Sequence, residues 1–204
     1  MPIKNHYYNA IRHDVISVIP SRPFKNIIEI GGGKSNTLRY LLKIYKAKGL
    51  AVDLIKQNKK GFKFIQGSIE DKKIINKIPN NFYDLIIACD VIEHLKNTDE
   101  FFCVARKKLN KNGILVLSVP NIRQLRMFYH VFIKGSFPRT DAGLFDKTHL
   151  RWFCKKDIVD IALNNGFKVS NYQSVGKLVP QILNKSVFGE FLALQNIFVL
   201  TKNI

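Results

Sequence analysis

Two short runs in this chain concentrate side chains that exchange protons near neutral pH. The run DVIEHL places Asp90, Glu93 and His94 within one turn of chain, and FDKTHLRWF places His149 and Arg151 two positions apart. A carboxylate beside an imidazole serves as a general base with its orienting partner. Asp90, Glu93 and His94 can instead ligate a divalent metal, since two carboxylates and an imidazole leave open positions on an ion. A third reading gives Glu93 and His94 a structural duty, capping or orienting the helix that follows. In the second run, alternation along an extended segment puts His149 and Arg151 on one side. His149 then reads as a base or ligand and Arg151 as a grip for an anionic acceptor. The competing arrangement pairs Arg151 with Asp146 or Asp157 and leaves His149 a hydrogen-bonding residue.

Upstream, IIEIGGGKSNT (residues 27–37) contains the G-K-S that ends a phosphate-binding loop. That loop needs a glycine at position 28, which is Ile28, and a dinucleotide fingerprint needs one at position 36, which is Asn36. What remains is Glu29, then Gly31, Gly32 and Gly33 before a helix start. A carboxylate there repels a phosphate but suits a ligand carrying an ammonium group. Asp53 lies 20 residues beyond Gly33 at the end of the next strand, the usual place for an acceptor of ribose hydroxyls. An adenosyl ligand with an amino-acid tail satisfies both acids.

These residues need rigid elements to hold them. Apolar, β-branched runs alternate with helix-like segments, a rhythm that predicts βα units around a mostly parallel sheet. Strands are predicted at 26–30, 49–54, 62–66, 83–89, 113–119, 167–172 and 195–201, and helices at 38–46, 98–110 and 155–166. Segments 120–154 and 173–194 interrupt the rhythm and read as inserted caps beside the site. Within them, residues 122–135 are expected to cover the core, with a lid or a membrane-surface helix as the alternatives. Residues 179–194 pose the same choice, with a homodimer contact as a further option.

In ordered combination these pieces resemble the class I S-adenosylmethionine-dependent methyltransferases, of the stand-alone bacterial kind. EIGGGKS resembles their first motif, Asp53 their ribose-binding acid, GSIED (67–71) their adenine-edge loop, and FYDLIIACDVIEHL (82–95) their fourth-strand motif. KKLNKNGILVLSVPN (107–121), THLRWF (148–153) and NNGFKV (164–169) complete the likeness, which spans nearly the whole chain. The resemblance implies an α/β fold: a Rossmann-like, seven-stranded, mostly parallel sheet with an antiparallel last strand and helices on both faces, as one domain over residues 1–204. It implies S-adenosyl-L-methionine held by Glu29, Gly31, Gly32, Gly33, Asp53, Leu54, Ser68, Ile69, Cys89 and Asp90. Catalysis then falls to His94, His149 and Arg151. By likeness to metal-dependent relatives, Asp90, Glu93, His94 and His149 form a candidate metal set. Ser35 stands where the family's third loop glycine belongs, which helical backbone tolerates. Ser68 stands where an acid is common.

Composition sets the remaining bounds. The chain has 204 residues with 46% hydrophobic content, enough for one full core. No apolar run reaches membrane-spanning length, and the first fifteen residues lack the apolar stretch of a leader. Cys89, Cys103 and Cys154 form no C-x-x-C pair, which fits a reducing, cytoplasmic setting. A formal charge of +18 favours anionic partners, nucleic acid among them, or reflects a surface rich in scattered lysine. The expected activity is methyl transfer to a hydroxyl or amine of a small molecule, a sugar or nucleotide-sugar of surface-glycan synthesis. The rivals are an RNA 2′-O-methyltransferase and a non-catalytic cofactor-binding module.

Overall fold

Strand β1 (Asn26–Ile30) shows why a buried parallel sheet forms here. Ile27 packs into one apolar layer while Ile28 and Ile30 pack into the other, so both faces of the strand need cover. Strand β4 (Tyr83–Cys89) repeats this, with Leu85 and Ile87 on one face and Ile86 and Ala88 on the other. The computed structural model describes residues 10–57, 61–176 and 186–203. It adds β2 (Lys48–Asp53), β3 (Lys63–Gln66), β5 (Leu109–Pro120), β6 (Phe167–Val175) and β7 (Gln195–Lys202). The seven strands lie in the order β3-β2-β1-β4-β5-β7-β6, with β7 antiparallel to both neighbours.

Helices cover both faces. Helix α1 (His13–Ile16) and helix α2 (Asn36–Tyr45) supply Val15, Leu38 and Leu41 to one layer. Helix α3 (Lys72–Asn76), helix α4 (Thr98–Lys108) and helix α6 (Lys155–Asn164) supply Ile74, Phe101, Phe102, Ile158 and Ala162 to the other. Helix α4 starts under an Asn97 cap that accepts from the Glu100 amide at 3.1 Å, carries Asp99 and Glu100 in its first turn, and ends in Arg106, Lys107 and Lys108. Helix α6 stops before Gly166, which takes a left-handed φ of 74°.

Predicted strands and observed strands agree closely in the first four and the last. Strand β5 starts earlier than expected because its register shifts between Tyr83 and Leu85, absorbing the residues before Gly113 as a bulge. Strand β6 runs on to Val175, held by its ladder to β7, so the second cap begins later than position 173. Of the 179–194 segment, residues 179–185 lie outside the described residues; beyond them stands helix α7 (Val187–Leu192).

The first cap departs most from expectation. Helix α5 (Leu125–Phe128) runs into a wide helical turn, Tyr129–Ile133. Only Met127 of these nine residues is buried, in a small separate core with Leu144 and Phe145. Leu125, Phe128, Tyr129, Phe132 and Ile133 face outward, so the segment does not cover the sheet as composition suggested.

Candidate active site

Strands β1 and β4 are neighbours, yet the chain leaves β1 toward β2 and β3 on one side and leaves β4 toward β5 on the other. Such a reversal opens a crevice at the carboxyl ends of the strands. A cavity of about 230 Å³ lies there, lined by Gly31–Gly33 after β1, Cys89 at the end of β4 and Asp90 just beyond it, Pro120 at the end of β5 and Gln195 at the start of antiparallel β7. Residues 141–149 of the first cap close it from above.

The glycine loop is shaped for close approach. Gly31 adopts φ 69°, and a Cβ on Gly32 would lie 2.2 Å from a carboxylate oxygen of Glu29. Glu29 is 4% exposed and lines the cavity directly beneath that backbone. Ser35 follows with a left-handed φ of 51° rather than the helical backbone anticipated for it, so it occupies a conformation that favours glycine. Gln57 steadies the turn by donating to the Gly33 carbonyl and to Ser35 Oγ.

The residues expected around adenosine do not line this cavity; they form a strip beside it. Asp53 accepts from the Gly33 amide and the Ile55 amide, each at 2.8 Å. It therefore ties β2 to the glycine loop. Pairing of Asp53 with Gln66 brings Ser68 and Ile69 alongside, with Ile69 buried and Leu54 exposed.

Asp90 is committed elsewhere than to a metal. At a left-handed φ of 55°, it receives Arg12 Nη1 at 2.8 Å, Gln195 Nε2 at 2.7 Å and Ser118 Oγ at 3.3 Å. Arg12 also bridges Asp14 at 2.9 Å, and its amide donates to Thr37 Oγ1 at 3.1 Å. Burial works against the Arg12 charge, but Asp90 holds its pKa above the ordinary value. The adjacent Cys89 thiol is pushed up to about 12 by burial, so it is neutral. Arg12 and Gln195 were not anticipated, because one arginine in an aperiodic N-terminal stretch and one glutamine at a strand start carry no local signal.

Glu93, His94 and His149 do meet. Their ligand atoms lie within 4.8 Å of one another, with the two imidazole rings edge to face at 4.8 Å between centroids. Glu93 is 1% exposed, neither carboxylate oxygen has a hydrogen-bond partner, and His149 Nε2 lies 4.0 Å from Oε1. Burial first, and then the Asp90 charge, raises its pKa well above the ordinary carboxylate value. His149 is lowered, by burial and then by His94. Glu93 and His94 lie in a tight turn, Ile92–His94, and do not cap α4, whose cap is Asn97.

The loop that delivers His149 is fixed by its own bonds. The Leu150 amide donates to the Glu93 carbonyl at 2.8 Å, and His94 Nδ1 lies 3.1 Å from the Thr148 carbonyl. Burial alone would lift Asp146, but donation from the Thr148 hydroxyl and amide holds its carboxyl below the usual range. Arg151 is absent from the cavity lining. It donates to the Lys96 carbonyl at 2.7 Å and reaches Thr98 Oγ1 at 3.5 Å, so it fastens the loop rather than gripping an acceptor or pairing with Asp146 or Asp157. Asp157 instead accepts from the Cys154 amide at 2.7 Å.

A family model described as a methyltransferase domain matches residues 4–171. The chain belongs to that family. Among curated proteins it is similar to a polyamine aminopropyltransferase of Saccharolobus islandicus, 31% identical over 134 residues, 54% of this chain and 43% of that protein. The chain thus spans less than half the length of this relative. Among solved structures, an S-adenosylmethionine-dependent methyltransferase from Archaeoglobus fulgidus superposes with a TM-score of 0.67 at 14% identity, covering 98% of this chain and 97% of that one. A Burkholderia thailandensis 1,6-didemethyltoxoflavin-N1-methyltransferase, solved with 1,6-didemethyltoxoflavin and S-adenosylhomocysteine, gives 0.65 at 12% identity, covering 100% of this chain and 82% of that one. Both likenesses establish the Rossmann-like methyltransferase fold.

Proposed function

We propose that this chain transfers a methyl group from S-adenosylmethionine to a hydroxyl or amine of a small molecule, working as one domain with cap segments over the acceptor. The observation that carries this reading is the joining, in one cavity, of the glycine loop over Glu29 with the His94 and His149 pair. When bound, S-adenosylmethionine supplies a methyl carbon activated by its sulfonium and a neutral thioether as leaving group. Glu29 would hold the ammonium of its amino-acid tail, and Arg12, in the same cavity, its carboxylate. Asp53 would accept from the ribose hydroxyls, with Leu54 and Ile69 on either side of the adenine and Ser68 at its edge.

On the acceptor side His149 takes the proton. Its lowered pKa keeps the imidazole neutral at pH 7, as a general base requires. Glu93 lies 4.0 Å from Nε2, where its buried carboxyl, held toward the neutral form, gives up its proton more readily once an imidazolium forms beside it. His94, anchored at Thr148, fixes the position of the His149 ring.

The lining narrows the acceptor. Glu29, Asp90, Asp141 and Asp146 surround the cavity, with Glu93 held toward its neutral form, against Arg12 as its one always-charged cation among the described residues. Such a wall opposes phosphates and admits neutral or cationic groups. A sugar hydroxyl or an amine therefore fits, whereas a nucleotide-sugar diphosphate or an RNA backbone is disfavoured. An amine is in keeping with the relative named for polyamines. The three free thiols fit the cytoplasmic setting expected from sequence, and no helix among the described residues is long and apolar enough to cross a membrane.

A second reading rests on the same cluster. Glu93, His94 and His149 have a donor set suited to a divalent cation, with Asp90 excluded by its Arg12 pairing. Titration calorimetry with S-adenosylmethionine, before and after EDTA and with Mn²⁺ restored, separates the two. The metal-free reading expects cofactor affinity and turnover unmoved by EDTA, and loss restored by Mn²⁺ supports the cation. No binding of S-adenosylmethionine under either condition would defeat both.

A further inference from the structure

The first cap presents an apolar face that the catalytic reading does not use. Its inward side chains are already satisfied: Met127 is buried with Leu144 and Phe145, and Val131 and Trp152 pack against them. The outward set is therefore not an unfilled half of that small core. Phe132 is 72% exposed and Ile133 64%, and Phe128 stacks on Phe132 at 5.2 Å between ring centroids. Leu125 and Tyr129 extend the same exposed surface.

Arg126 and Lys134 are exposed within or directly after this segment, Arg139 is exposed a few residues on, and residues 122–140 contain no Asp or Glu; the next residue, exposed Asp141, is paired with Lys147 at 2.6 Å. An aromatic and aliphatic face rimmed by cations has the composition of a surface that enters the headgroup region of a bilayer. Anionic headgroups add attraction of roughly 1 kcal/mol per basic residue held near them. The alternative occupant, a second copy of the chain meeting the same face, would bring this cationic segment against the same cationic segment, because a two-fold contact joins the same patch on both chains. Lysine ammonium near Tyr129, at 5.2 Å from the ring centroid, further matches a side chain that lies along the apolar face with its charge outward.

We propose that the outer face of residues 125–133, with Arg126, Lys134 and Arg139, docks the protein on anionic lipid bilayers. The docking is peripheral, and the cap that carries it continues directly into residues 141–149 over the cavity. Lipid contact and acceptor selection thus share one insertion.

Flotation with phosphatidylcholine vesicles, alone or mixed with phosphatidylglycerol, tests this on the full chain. The wild type is expected to float with the mixed vesicles and little with phosphatidylcholine. A Phe128→Ser/Phe132→Ser variant, which leaves net charge intact, should bind mixed vesicles about tenfold or more weakly, since two exposed aromatic anchors are lost. A Lys134→Gln/Arg139→Gln variant should lose binding to mixed vesicles while its thermal midpoint stays put. Equal binding by the double-Phe variant would overturn the proposal, because diffuse charge alone would then explain attachment. So would absence of wild-type binding, or a wild-type dimer in sedimentation velocity that the double-Phe change dissolves without any vesicle contact.

Discussion

Glu93 is the residue on which the chemistry and the stability of this site meet. Buried without a hydrogen-bond partner on its carboxylate, it is held toward the neutral form at a pH where an exposed glutamate is charged. The folded state therefore binds more protons than the unfolded chain above the ordinary glutamate pKa. Stability conferred by the neutral form is complete below that value and is lost as pH rises through the raised folded pKa. A Glu93→Gln variant lacks this loss, so its melting temperature relative to wild type should climb from pH 4 to pH 8. A constant difference across that range would mean Glu93 is already paired. His149 gives the complementary prediction: His149→Ala should lower turnover by about 10²- to 10⁴-fold, the usual worth of a positioned base. Because its pKa lies below the usual imidazole value, wild-type rate should be flat above pH 7 and fall on the acid side. The residue types of this cluster were legible from DVIEHL and THLRWF. Their partition was not: Asp90 is claimed by Arg12, and Arg151 by the Lys96 carbonyl, through contacts distant in sequence.

At the scale of elements, strands were the most legible part. Ile27, Ile28 and Ile30, or Leu85 to Ala88, are apolar on both faces, and in an α/β chain only a buried parallel strand demands that. The cap was the least legible, since Leu125, Phe128 and Phe132 repeat at helical spacing whether the face meets a core or something outside the molecule. Ser35 shows a subtler limit: motif likeness placed a serine at a glycine position, but only the backbone reveals its left-handed φ. A Ser35→Gly change should relieve about 0.5–1 kcal/mol of that strain. Chemical denaturation reads it directly, and a loss of stability would mean the contact of Ser35 Oγ with Gln57 outweighs the strain. Arg12 links two elements, α1 and the end of β4. Arg12→Met removes the ion pair of Asp90, leaving it the Gln195 and Ser118 donors, and should cost about 3 kcal/mol. Adding Asp90→Asn should recover much of it if the pair is coupled.

For the whole molecule, charge and cavity point in opposite directions. The chain carries +18, yet the cavity wall is mostly acidic. A polyanion attracted by the outer surface is thus opposed at the place where a proton and a methyl must be exchanged. Composition gave the outer charge but not its division between surface and cavity, because that division exists only once Asp141 and Asp146 of the cap are brought over Glu29 and Asp90 of the strand ends. The most direct test is to supply methyl-labelled S-adenosylmethionine and separated RNA, protein, lipid-glycan and small-metabolite fractions of a cell lysate, comparing wild type with His149→Ala. Label is predicted in metabolite or glycan compounds bearing a hydroxyl or amine, and lost in the variant. Label confined to RNA, or cofactor bound with no label transferred to any fraction, would contradict the assignment.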